Sequence, residues 1–133
     1  MTDSAELNIL IDKVIIAHKN HDGQLFNDIS NRAMKSIEFH LSSDGNELML
    51  YLFMALQETA MVGWQGYSNL PIANNAPELR TLILKSINKS YNGGLSYYNK
   101  AIVLLQNIGA PGDMISQVQS RIIGLDAIYH DVL

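Results

Sequence analysis

The chain has 133 residues, 47% of them apolar and 17% charged, with a formal net charge of −4. That length suits one domain with a real core, and the composition is globular rather than disordered. The lack of cysteine excludes disulfides, thiolate metal sites and thiol catalysis.

The charge is unevenly spread. Residues 1–66 hold nine of the 13 Asp/Glu and four of the nine Lys/Arg. Phosphate contacts need clustered cations, so nucleic acid is not expected as a partner. Arg80, Lys85, Lys89 and Lys100 make a loose basic row that a solvated helix face explains. The longest apolar run, Leu48 to Leu56, is far below the ~20 residues of a membrane span. The start, MTDSAELN, lacks a basic segment followed by an apolar one, so no signal peptide is read there. A soluble cytoplasmic protein is expected.

Helical spacing recurs throughout and period-two alternation is absent, which predicts an all-α fold: a compact bundle of four to five helices in a single domain over 1–133. Asp3 with Glu6 resembles a capping box and starts the first segment. Its stripe is Leu7, Ile11, Val14 and His18. Asp22-Gly23 then threatens a break, while Leu25, Ile29, Ala33, Ile37 and Leu41 nearly continue the phase. Residues 4–42 are therefore one helix kinked near 22–23 or two helices. Ser42-Ser43-Asp44-Gly45 is a turn cluster.

Asn46 is placed to cap a helix over about 46–66, with Glu47 in its first turn. This segment is apolar almost all round through Leu56, as the buried centre of a bundle would be. Gly66 reads as its stop, and LPIANNAP (70–77) as the main irregular loop. Pro77-Glu78 suits the first turn of the next helix. The pair Gly93-Gly94 looks like a break, but Ile83, Ile87, Tyr91, Gly94, Tyr98, Ala101, Leu105 and Ile108 keep one helical phase across it. One helix over 78–108 is predicted, with Gly94 admitting a close neighbour. Gly109-Ala-Pro-Gly terminates it and Asp113 caps a last helix, 113–132. The seam Ile115, Val118, Ile122, Leu125, Tyr129, Val132 has heptad spacing. Packing within its own bundle is the expected use, and a homodimer stays conceivable.

Trp64-Gln65-Gly66 resembles the Trp-x-Gly turn of the WXG100 family of secreted helical hairpins, over three residues. Gly45 and the proline-containing loop break the two-long-helix pattern, and the chain ends in Leu133 without that family's export tail. Membership is therefore not assigned.

For chemistry, His18 and His21 share a helix face and form the best metal-like pair, with Glu38 or His40 as a third ligand. Partly exposed histidines at a helix end are the simpler account, so no metal and no cofactor are expected. Glu58 is the one carboxylate inside an apolar stretch. No Gly-x-Ser-x-Gly elbow or phosphate loop is present, so catalysis has no support. What remains is recognition. Trp64, Tyr67, Asn69 and Tyr97, with the acids Asp22, Asp28, Asp44 and Glu47, are the candidate protein-interaction residues. They suggest an acidic inhibitor of immunity or antitoxin type, facing a basic toxin or nuclease. The alternatives are a secretion chaperone or assembly adaptor, and a metal or enzymatic bundle using His18 and His21.

Overall fold

The computed structural model describes residues 3–42 and 46–133. Residues 43–45 of the turn cluster, Asp44 with them, lie outside the described residues, as do the side chains of Asp3 and Ser42. The fold is an all-α bundle, with no strand among the described residues. Its helices are α1 (Asp3–Lys19), α2 (Gly23–Ser42), α3 (Glu47–Trp64), α4 (Pro77–Asn107) and α5 (Gly112–Val132). None of the described helices is long and apolar enough to cross a membrane.

The central element is α3. It packs on α1, α2, α4 and α5, and Phe53, Ala55, Leu56, Ala60 and Val62 on it are sealed from solvent. Asn46 caps it as expected, its side-chain oxygen accepting from the Leu48 and Met49 amides at 3.0 and 3.4 Å. Every other helix supplies one stripe to this core. From α2 come Phe26, Ile29, Ala33 and Ile37, and from α5 Val118, Leu125, Ile128 and Val132. The heptad seam of α5 is thus used inside its own bundle. In α1 the buried phase is Leu7, Leu10 and Ala17, whereas Ile11, Val14 and His18 of the predicted stripe are only half-buried.

Residues 4–42 are two helices, and the left-handed residue at the break falls two positions before the expected glycine. His21, at φ 50°, takes the left-handed position that ends α1. Its amide donates to the His18 carbonyl and that of Asp22 to the Ala17 carbonyl, at 3.2 and 2.9 Å. This is the Schellman closure. Asp22 then caps α2 by accepting from the Leu25 amide at 3.0 Å. Gly109, at φ 68°, ends α4 by the same device. Before α5 the N-cap is Pro111, and Asp113 sits in the first turn instead of capping it. Its charge still complements the positive helix end.

Two expectations, one for the end of α3 and one for the segment after it, are corrected. Gly66 does not stop the helix: the backbone continues as a π turn over Gln65–Asn69 and a 3₁₀ turn over Leu70–Ala73 before Pro77 opens α4. The segment predicted as loop is thus helical in its first half, where Pro71 occupies a first-turn position that needs no amide, and irregular as expected over 74–76. Trp64-Gln65-Gly66 accordingly lies on continuous helical backbone rather than in a hairpin turn. Gly93 and Gly94, by contrast, do lie inside one unbroken helix. A Cβ at Gly94 would stand 2.8 Å from a Leu125 methyl, so the glycine lets α5 approach.

Gly63 serves packing in the same way, because a Cβ there would stand 2.4 Å from the Phe26 ring, which is itself fully buried. Gly124 on α5 has nothing within 4 Å of such an atom. Gly63→Ala should therefore destabilise by about 1–3 kcal/mol through overpacking, and Gly124→Ala should stabilise by up to ~1 kcal/mol through helix propensity. Urea denaturation of the two variants measures both signs.

Candidate functional site

The candidate interaction residues separate into two groups at opposite ends of α3. Its 18 residues span roughly 27 Å at 1.5 Å per residue. At the C-terminal end lie Trp64, Tyr67, Asn69 and Asp22; at the N-terminal end lie Glu47 and Tyr97. Asp28 is exposed on α2, where its carboxylate accepts from Gln24 at 3.3 Å.

The C-terminal end is built on the π turn. Its wide i to i+5 spacing, seen in the Leu70 amide donating to the Gln65 carbonyl, re-aims the side chains after Trp64. Trp64 is half-buried and packs against the core as a helix-end anchor. Tyr67 stacks on His21, with ring centroids 4.7 Å apart and planes within 8°, and lies 6.0 Å from Phe26. The left-handed turn at His21 is what presents that imidazole to the phenol. On the other side, Gly66 rests against Val132 near the end of α5. Asp131, one residue back, accepts a hydrogen bond from His18 Nε2 at 2.5 Å. Burial, and then the Asp131 carboxylate, raise the Tyr67 phenol above its ordinary value.

Two buried polar atoms in this turn, Gln65 Nε2 and Tyr67 Oη, have no hydrogen-bond partner among the described residues. An unpartnered buried group costs about 1–3 kcal/mol, and π turns recur at functional sites. The result is an end face combining an aromatic stack with the exposed carboxylates of Asp22 and Asp131.

The histidines do not converge as a metal site. His18 is engaged by Asp131 and His21 by Tyr67. His40 is buried between Phe39 and Phe53, on the far part of α3, and Glu38 is exposed. Among the described residues no three His, Asp or Glu side chains gather as ligands.

At the N-terminal end of α3, Tyr98 is 2% exposed, so Tyr97 turns outward to a half-buried position. Its ring meets Tyr51 at 6.5 Å, and the Lys100 ammonium lies 5.3 and 5.9 Å from the Tyr97 and Tyr51 ring centres. Tyr51 donates to Glu47 at 2.8 Å. Glu47 thus meets a phenol and Lys100 two ring faces, with no ion pair between them among the described residues. Tyr51 was not singled out from the sequence, since its position opposite Tyr97 arises only from the pairing of α3 with α4; Lys100, named there only in the basic row, lies three residues after Tyr97 on α4 itself.

Glu58 sits half-buried where α3 crosses α4. Gly93 and Gly94 make room for it, a Cβ at Gly93 falling 2.7 Å from Oε2. Burial raises its carboxyl above the ordinary value, against the opposing pull of Lys89 and the Ser90 hydroxyl.

No family model matches the chain, and no curated protein or solved structure matches it.

Because the folded carboxyl of Glu58 is raised, the fold favours its neutral form. The stability it contributes is full below the unfolded value near 4.3 and is lost as pH rises through the higher folded value. Glu58→Gln should raise Tm at pH 7 and leave it unchanged at pH 3. Equal shifts at both pH values would place the effect outside this titration.

Proposed function

We propose that the chain is a small, acidic, cytoplasmic protein-binding module: an inhibitor of immunity or antitoxin type that docks a basic partner, such as a toxin or nuclease. The observation that carries this reading is the π turn after α3. It sets Tyr67 against His21, with Asp22 next to His21 in the chain and the Asp131 carboxylate acting on the phenol, and holds two unpartnered buried polar atoms. A flat aromatic pair is an economical anchor because little side-chain freedom is lost when a partner covers it. Flanking carboxylates steer a basic surface toward it. Asp28, exposed on α2, lies on the same acid-rich half of the chain, whereas Glu47 stands with Tyr97 at the other end of α3 as a second candidate contact. Asn69, half-buried in the π turn, is the adaptable polar contact at its rim.

The test is capture of a partner with this chain as bait, any basic protein encoded next to its gene included, and titration calorimetry of the complex at 50 and 300 mM salt. Asp22→Asn with Asp131→Asn should weaken binding at least tenfold at the lower salt and reduce its salt dependence, with helicity retained. Asparagine keeps the α2 cap, so loss of fold is not the expected cause. Undiminished affinity in that double variant would place the interface elsewhere, and absence of any complex would remove the inhibitor reading.

A further inference from the structure

We propose that the cleft between α1 and α5 binds a small amphipathic organic anion. Its carboxylate would sit on Arg121 and its apolar body against Ile11, Val14, Leu56 and Leu125. The cleft encloses about 550 Å³, within the range of small-molecule sites. Its floor is α3 and α4, with Leu56, Thr59 and Tyr98, and its walls are α1 and α5. Where α1 and α5 end, His18 and Asp131 tie the two walls together.

Arg121 gives the cleft its chemistry. Its side chain is half-buried, yet among the described residues no carboxylate lies within ion-pair distance of it. A guanidinium stays charged at any working pH, and withdrawing it from water without an anion is costly. Burial lowers it from its ordinary value, while the neighbouring Tyr98 hydroxyl acts the other way. Nor can that phenol serve as a counter-ion, since its own burial holds it in the neutral form. The fork of donors on Arg121 therefore faces an apolar cleft without an anion, and a carboxylate is the group it matches in two parallel hydrogen bonds.

Size selects the occupant. A docked helix about 10 Å across and three turns long would displace on the order of 1,300 Å³, more than twice what the cleft holds. The floor is closed as well: Thr59 spends its proton on the Ala55 carbonyl at 2.8 Å and lies against the Tyr98 hydroxyl. A ligand thus finds the Arg121 guanidinium over an apolar bed, with the exposed Asn8, Gln117 and Ser120 also lining the cleft. Asp12 lines the opposite wall but is exposed, so it faces the mouth rather than the bed.

Octanoate is the probe, with 1-octanol as the neutral control of equal length, each titrated into the folded protein and followed by amide NMR. Octanoate should bind saturably, shift the signals of Tyr98, Arg121 and Gly124, and bind at least tenfold more tightly than octanol. Arg121→Gln should abolish that preference while leaving octanol binding unchanged, and Arg121→Lys should keep part of it. The octanol titration also shows whether each variant retains a formed cleft. Equal affinities of the two probes in the native protein, no saturable octanoate binding, or an equal loss of both in Arg121→Gln would each overturn the proposal. Asp22→Asn alone, at a residue that does not line the cleft, should still discriminate octanoate from octanol, which separates this site from partner docking.

Discussion

The structure depends on α3 having no polar face through most of its length. A helix that is apolar all round has to be covered on every side, and each fully buried Phe or Leu contributes roughly 1.5–3 kcal/mol by leaving water. Phe53 and Leu56 lie at 0% and 2% exposure only because four other helices surround them. This requirement sets the topology. α2 and α4 pack antiparallel along α3, as shown by Phe26 beside Gly63 and Glu58 beside Gly93. α1 and α5 then cover what remains. They reach α3 from opposite sides of a gap, and that gap is the cleft over Leu56 and Thr59. The concave feature of the molecule is thus a by-product of wrapping one helix with single-striped neighbours.

Two irregular pieces of backbone meet at one end of this bundle. The left-handed His21 and the π turn at 65–69 face each other across the Tyr67 ring. Both depart from the geometry that propensity alone would favour. A left-handed non-glycine costs about 1–2 kcal/mol, and the π turn leaves polar atoms unpaired. The regular parts of the core offset these costs, which is why the departures can persist. They also place polar and aromatic groups where a regular helix end would present only backbone carbonyls.

How much of this was legible in the sequence depends on which signal was used. Phase worked: the unbroken stripe through Gly93 and Gly94 identified one long α4 against the pull of two glycines. Composition misled at Gly66 and LPIANNAP. A glycine there relieves contact with Val132 rather than ending a helix, and Pro71 fits the start of a 3₁₀ turn. At His21 the left-handed residue was not the nearby glycine, because a hydrogen-bonded closure tolerates a side chain that finds a stacking partner. The interaction residues were chosen by type, and type carries no information on which end of α3 a residue occupies. Tyr67 and Tyr97 therefore looked equivalent and are not. Arg121 was missed although a signal existed. It lies between Val118 and Leu125 beside the α5 seam, a position where a solvated cation is unexpected.

The end face and the cleft share one contact, His18 with Asp131. It ties α1 to α5 at the margin of the cleft, and its carboxylate also acts on Tyr67. Neither residue can therefore report on one surface alone. Arg121 lies ten positions before Asp131 on α5, about 15 Å along the helix, beyond the ~8 Å screening length at physiological salt. Its charge is consequently felt inside the cleft and hardly at the end face. Tyr67 and Asp22 stand in the reverse relation, facing His21 and the capped start of α2. Each surface thus has residues whose fields and contacts the other does not share, so a partner docked on the end and a ligand held in the cleft are physically separable occupants of one small bundle.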